Sequence, residues 1–193
     1  FQVHNYFPPP RDPFVFNLAS AKKEIRSKSI SHALEAMSWS LELDNPTYSF
    51  HAGFLIDPLV SELGQKIKKR NLSNRKQGMK NFIESLEYLL RKAESWGVSL
   101  LIENNVLSKN NFDEFKSNPL LMVEANEALE IMNYFNHKNL NLLIDFAHLK
   151  VSSNSLNFSR SEFLNSCSKW IKGYHLSDND GSSDTNSPIS DES

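Results

Sequence analysis

Along the chain, short apolar runs alternate with longer amphipathic segments, a rhythm that argues for repeated βα units rather than an all-α or all-β protein. The clearest helix covers 76–96. Its apolar positions, Met79, Phe82, Ile83, Leu86, Leu89, Leu90 and Ala93, fall on one face of a 3.6-residue repeat, with Ser73 or Asn74 able to cap the start and Gly97 able to end it. A second helix is expected over 118–135, opened by Asn118-Pro119 as N-cap and first-turn proline, with Leu121, Ala125, Ala128, Leu129, Met132 and Phe135 on one side. Two weaker helices are expected over 21–43, with Ile30, Ala33, Leu34, Met37 and Leu41 inward, and over 159–171, with Phe163, Leu164, Cys167 and Ile171 inward.

Between the helices lie runs that read as buried strands: 2–5, 47–51, 98–103, 140–145 and 173–176. Two of them, 98–102 and 140–144, are nearly continuous in apolar residues, as strands of a parallel sheet covered by helices are. The predicted order is β-α-β-α-β-α-β-α-β. There is no sequence repeat beyond it and no internal linker long enough to divide the chain, so residues 1–193 read as a single domain.

The informative positions are those that end the strands. His4, His51, Glu103, Asp145 and His175 each stand at or beside a predicted carboxyl end, and every one is a metal-ligand type. An open sheet would spread five strand ends over roughly 19 Å, too far for one small site, whereas a barrel gathers them round an axis. The absence of a G-x-G-x-x-G motif also disfavours a doubly wound sheet. The preferred fold is therefore a (β/α)8 barrel. Asp145 and His148 stand three apart just past a strand, and His175 leads into an acidic, glycine-containing loop that reaches Asp184. Oxygen ligands mixed with imidazole suit Mn²⁺, Mg²⁺, Co²⁺ or Zn²⁺. His32, His137 and Cys167 lack this placement and read as structural or surface residues. The basic cluster Lys66, Lys68, Lys69, Arg70, Arg75 and Lys76 could hold a phosphate but reads first as a solvated face.

Composition narrows the picture further. With 39% apolar and 23% charged residues and no run long enough to span a bilayer, a disordered chain and a membrane protein are both excluded. A single cysteine excludes a disulfide framework and a cysteine-rich zinc module, and fits a cytoplasmic setting. A net charge of −2, from 21 basic and 23 acidic residues, exerts no global pull on nucleic acid.

Five segments together carry a family likeness: His4-Asn5-Tyr6-Phe7 with Phe16-Asn17-Leu18-Ala19-Ser20; Phe50-His51-Ala52-Gly53; Leu101-Ile102-Glu103-Asn104-Asn105; Ile144-Asp145-Phe146-Ala147-His148; and His175-Leu176-Ser177-Asp178-Asn179-Asp180-Gly181 leading to Asp184. In that order and spacing the chain resembles the xylose-isomerase-like barrel superfamily, which includes sugar and sugar-phosphate isomerases and epimerases and the apurinic/apyrimidinic endonuclease IV family. The resemblance implies a metal-dependent isomerase or epimerase that moves a proton next to a sugar carbonyl. In that scheme Glu103, Asp145 and His175 bind the divalent metal, Glu103 also exchanges a proton with the substrate carbon, and His148 contacts substrate. His4, His51 and Asp184 match positions that hold additional zinc ions in the nuclease branch and substrate contacts in isomerases. Asn186 stands where the nuclease pattern has a histidine, which weighs against a third zinc. The alternatives are a zinc-dependent abasic-site endonuclease and a non-catalytic sugar-binding barrel. The implied partner is a sugar or sugar phosphate, with no nucleic acid or membrane, and a homo-oligomer is possible for the full-length protein.

Against a typical barrel of about 250 residues, five strands of eight read as a fragment, and the resemblance implies that the first two strands and the last, with its ligand glutamate, lie outside 1–193. The segment alone is therefore expected to be inactive and cut at both ends.

Overall fold

The computed structural model describes residues 2–189; Phe1 and the last part of the expected polar tail, 190–193, lie outside the described residues. Five strands, β1 (Val3–His4), β2 (Thr47–His51), β3 (Ser99–Glu103), β4 (Leu140–Asp145) and β5 (Ile171–His175), form one parallel sheet in the order β1-β2-β3-β4-β5. The helices are α1 (Lys23–Glu42), α2 (Arg75–Trp96), α3 (Lys109–Phe115), α4 (Ala125–Phe135), α5 (Phe146–Leu156) and α6 (Arg160–Cys167). Each strand pairs with the next in sequence and the order never reverses, which is the winding of a barrel rather than of a doubly wound sheet. The strands make an incomplete barrel.

Alternation along the strands builds two layers. Tyr48, Phe50, Leu100, Ile102, Leu140, Leu142 and Ile144 face the helices and join Met37, Phe82, Leu86, Leu89 and Ile131 in the main core. The opposite face carries Leu101 and Leu143, then Glu103 and Asp145 one step further on. Gly173 belongs to that inner layer, since a Cβ added there would sit 3.1 Å from Leu101 Cδ1 and 3.6 Å from Leu143 Cδ1.

The long helix follows its sequence closely. The Asn74 side chain accepts from the Gln77 N–H, and Gly97 closes α2 in the left-handed region, at φ 72°. Elsewhere tertiary contacts override local signals. The expected helix at 118–135 begins only at Ala125, because Asn118–Met122 is pulled onto the loop after β2: Leu55 N–H donates to Pro119 O (2.8 Å), and Leu121 N–H to Gly53 O (3.0 Å). The expected final helix stops at Cys167, and Ile171 opens β5 instead of closing a helix. Leu41 points outward, 42% exposed. Two helices have no counterpart in the sequence reading. α3 is short, polar and capped by Ser108, and α5 starts directly on the strand-end Asp145, whose side chain accepts from the His148 N–H.

Candidate metal centre

The register sets the site. His51 pairs with Glu103 across β2 and β3, and Asp145 pairs with His175 across β4 and β5, so four candidate ligands occupy adjoining strand ends on the inner face. His4, at the end of β1, completes the ring. Its imidazole lies 4.8 Å from that of His175, centroid to centroid, although β1 and β5 are opposite edges of the sheet. A flat sheet would hold those ends roughly 19 Å apart. The sheet curls until its edges meet at the carboxyl end.

Glu103 stands at the centre, 1% exposed. Its Oε2 is 3.3 Å from His4 Nε2 and 3.2 Å from His51 Nδ1, and its Oε1 accepts from His175 Nδ1 at 2.8 Å, with His148 Nδ1 at 3.8 Å. Asp145 Oδ2 is 3.6 Å from His175 Nδ1, and Asp184 Oδ2 is 3.2 Å from His148 Nε2. Burial pushes the Glu103 carboxyl up, but the charge of His51 and the hydrogen bond from His175 outweigh it and hold the group at about 2. Burial holds His4 down at about 4 against the pull of Glu103, and burial also lowers His51. Asp145 and Glu103 raise His175 to about 10. For His148, burial acts downward and is overcome by the Asp184, Asp145 and Glu103 carboxylates, which raise it to about 9.

Neighbouring groups fix the ring orientations. His148 Nδ1 donates to Asn104 O at 2.9 Å, which leaves Nε2 facing the acids, and His4 Nδ1 meets Ser49 Oγ at 2.9 Å, which leaves its Nε2 toward Glu103. Asn104 also clamps β3 to β4, with its amide donating to Asp145 O (3.1 Å) and accepting from Asp145 N–H (2.8 Å). Asn105 donates to Ala52 O and Leu121 O, tying β3 to the loop after β2. The sequence reading assigned no role to Asn104, Asn105 or Ser49; the only signal was that two asparagines directly follow the strand-end glutamate.

The donor set suits a divalent cation. Two overlapping groups, His4, His51 and Glu103, and Glu103, Asp145 and His175, each bring their ligand atoms within 4.8 Å of one another. His51 Nδ1 and Glu103 Oε2 are buried without a hydrogen-bond partner, and so is Asp184 Oδ1. Orphaned polar atoms are costly in a core and are what a metal would satisfy. His32 lies apart, buried among Tyr6, Phe14 and Phe16, with its Nε2 donating to Asn5 O at 3.0 Å. His137 serves the turn before β4, and Cys167 is core. Half of the basic cluster is engaged in ion pairs: Arg70 with Glu62, Arg75 with Glu127 and Lys66 with Glu114.

Comparison with known proteins agrees with this architecture. "Probable endonuclease 4" of Aquifex aeolicus (strain VF5) is 27% identical over 140 residues, covering 70% of this chain and 40% of that protein. The crystal structure of a D-tagatose 3-epimerase-like protein superposes with a TM-score of 0.69 at 21% identity, over 96% of this chain and 58% of that one. The 3-keto-D-glucoside 4-epimerase YcjR from E. coli superposes with a TM-score of 0.64 at 13% identity, over 86% and 57%. The chain thus spans little more than half the length of these structures, or less than half in the case of the endonuclease. Residues 2–192 match the family described as the xylose isomerase-like TIM barrel, from β1 through the loop after β5 and across every strand end of the centre, and the chain belongs to that family.

Proposed function

We propose that the protein containing this chain is a metal-dependent sugar isomerase or epimerase. The observation that carries the reading is Glu103, a buried carboxylate whose Oε2 makes no hydrogen bond, among His4, His51, Asp145 and His175. Glu103, Asp145 and His175 would hold the cation. When bound, a divalent metal acts as a Lewis acid and stabilises the negative charge that develops on a substrate oxygen. Glu103 would take a proton from the carbon beside a sugar carbonyl, in the ionised form that its neighbouring imidazoles favour. His148, fixed by Asn104 and facing Asp184, would hydrogen-bond a substrate oxygen and keep it oriented while the proton moves.

A second reading, a zinc-dependent phosphodiesterase acting on abasic DNA, is favoured by the His4–His51–Glu103 group and by the pairing of His148 with Asp184. Metal analysis of the purified full-length protein separates the two. The isomerase reading expects close to one Mn²⁺ or Co²⁺ per chain; two or three zinc ions would sink it. In the same protein, Glu103→Gln is expected to cut deuterium incorporation at the substrate carbon by about a thousandfold, within the range for loss of a general base. Unchanged incorporation would remove Glu103 from that role.

A further inference from the structure

The site opens into a cavity of about 410 Å³ whose lining includes His51, His148 and Asp184 together with Leu63, Gln65 and Ile67. The last three belong to segment 57–70, whose regular structure is a single 3-10 turn, Val60–Glu62. Such a segment moves unless it is tied down, and this one is tied within itself and to the rest of the molecule, where Asn17 also donates to Asp57 Oδ1 at 3.0 Å. Within the segment, the buried Glu62 carboxylate accepts from Leu59 N–H (2.7 Å), from Lys68 N–H (3.0 Å) and from Arg70 Nη2 at 2.6 and 2.8 Å, while Arg70 Nη1 donates to Asp57 O at 3.0 Å. The ring of bonds closes residues 57–70 on themselves. Across to the rest of the molecule, Asn111 of α3 accepts from Ile67 N–H at 2.9 Å and donates to Gln65 O at 3.4 Å. The Lys66–Glu114 ion pair (2.7 Å) lies beside this seam but is solvent-exposed and contributes little. α3 in turn packs on α5, the helix that carries His148.

We propose that segment 57–70 is the substrate-selecting wall of this site, and that Asn111 and the Glu62–Arg70 pair are positioning residues that hold the wall at a fixed distance from His148. A wall ordered in advance spares the complex the entropy of ordering a loop, so loosening it weakens binding more than chemistry. For its kinetic half, the inference rests on the isomerase reading; the docking itself does not.

Lys66, Lys68, Lys69 and Arg70 make the segment its own reporter, because trypsin cuts there only when it is released. In the full-length protein, Asn111→Ala is expected to speed tryptic cleavage within 66–70 by about tenfold, as local opening becomes easier. With D-tagatose as probe and deuterium exchange as readout, the same variant is expected to raise KM about tenfold and leave kcat within about twofold, a split that general destabilisation would not give. Asn111→Asp, which keeps the acceptor for Ile67 N–H but loses the donor to Gln65 O, is expected to recover both in part. Unchanged cleavage in Asn111→Ala overturns the docking. Faster cleavage with an unchanged KM overturns the wall. If the unaltered protein exchanges no proton into D-tagatose or D-fructose, the kinetic half falls for these sugars, the metal analysis still decides the isomerase reading, and the tryptic comparison still decides the docking.

Discussion

Asn17 has no accessible surface, yet its amide is fully used: it donates to Phe54 O (3.1 Å), Ile56 O (2.9 Å) and Asp57 Oδ1 (3.0 Å) and accepts from Ala19 N–H (3.1 Å) and Phe54 N–H (2.9 Å). It joins the loop after β1 to the loop after β2, the two loops that carry Tyr6 and Phe54 to the cavity. Asn17→Ala would bury backbone groups with no partner, and each such group costs about 1–3 kcal/mol. The expected loss is about 3 kcal/mol, read as a lower urea midpoint at an unchanged slope. Glu103 makes the opposite case. Its Oε2 lacks a hydrogen bond although the fold surrounds it with imidazoles, so a side chain serving only the fold would be poorly placed there. This contrast explains what could be read from the sequence at this scale. A histidine, glutamate or aspartate closing an apolar run stands out because those types rarely enter a core. Asn17, Asn104 and Asn111 do not stand out: an asparagine that clamps a loop has the same type and surroundings in the sequence as one in a solvated turn.

Among the elements, α2 and the inner strands were legible because a 3.6-residue stripe or a continuous apolar run is set by packing that the sequence displays directly. α3 and α5 were not, since one is short and polar and the other begins on the strand-end Asp145, whose side chain serves as its cap. The false start at Asn118-Pro119 has a similar origin: the pair reads as a helix entry, but the segment's hydrogen bonds go to the loop after β2. That loop's own course depends on Gly53. An added Cβ there would collide with the Cβ of Ala19 and lie 2.9 Å from both the Ala19 nitrogen and Asn17 Oδ1. Gly53→Ala must therefore push apart the two segments that Asn17 joins. Overpacking of this kind costs about 1–3 kcal/mol. The measurement is again the urea midpoint, and the Asn17→Ala, Gly53→Ala double variant should fall short of additivity because both changes break the same seam.

For the whole molecule, the candidate ligands come from strands far apart in sequence: the His4–His51–Glu103 group draws on β1, β2 and β3, and the Glu103–Asp145–His175 group on β3, β4 and β5. The curl that brings His4 to His175 was foreseeable from chemistry, since five strand-end ligands make sense only if the ends converge. The wall formed by 57–70 was not, because its tie to Asn111 spans 44 residues and follows no period. A cation held by ligands so dispersed binds the folded sheet and has no matching site in the unfolded chain, so its binding free energy appears as stability. At a free metal concentration a hundred times the dissociation constant, the gain is about 2.7 kcal/mol. Near 1 kcal/mol per 2–4 °C for a protein of this size, Mn²⁺ should raise the melting temperature by about 5–10 °C, and EDTA should reverse the rise. Glu103→Gln removes the carboxylate common to both groups and should abolish the shift even if the variant is itself more stable once relieved of a buried charge. His32→Asn, altering a buried imidazole outside the centre, should lower the melting temperature yet keep the shift. A calorimetric scan of the three proteins with and without Mn²⁺ decides the matter: a shift that survives in Glu103→Gln places the metal somewhere other than these strand ends.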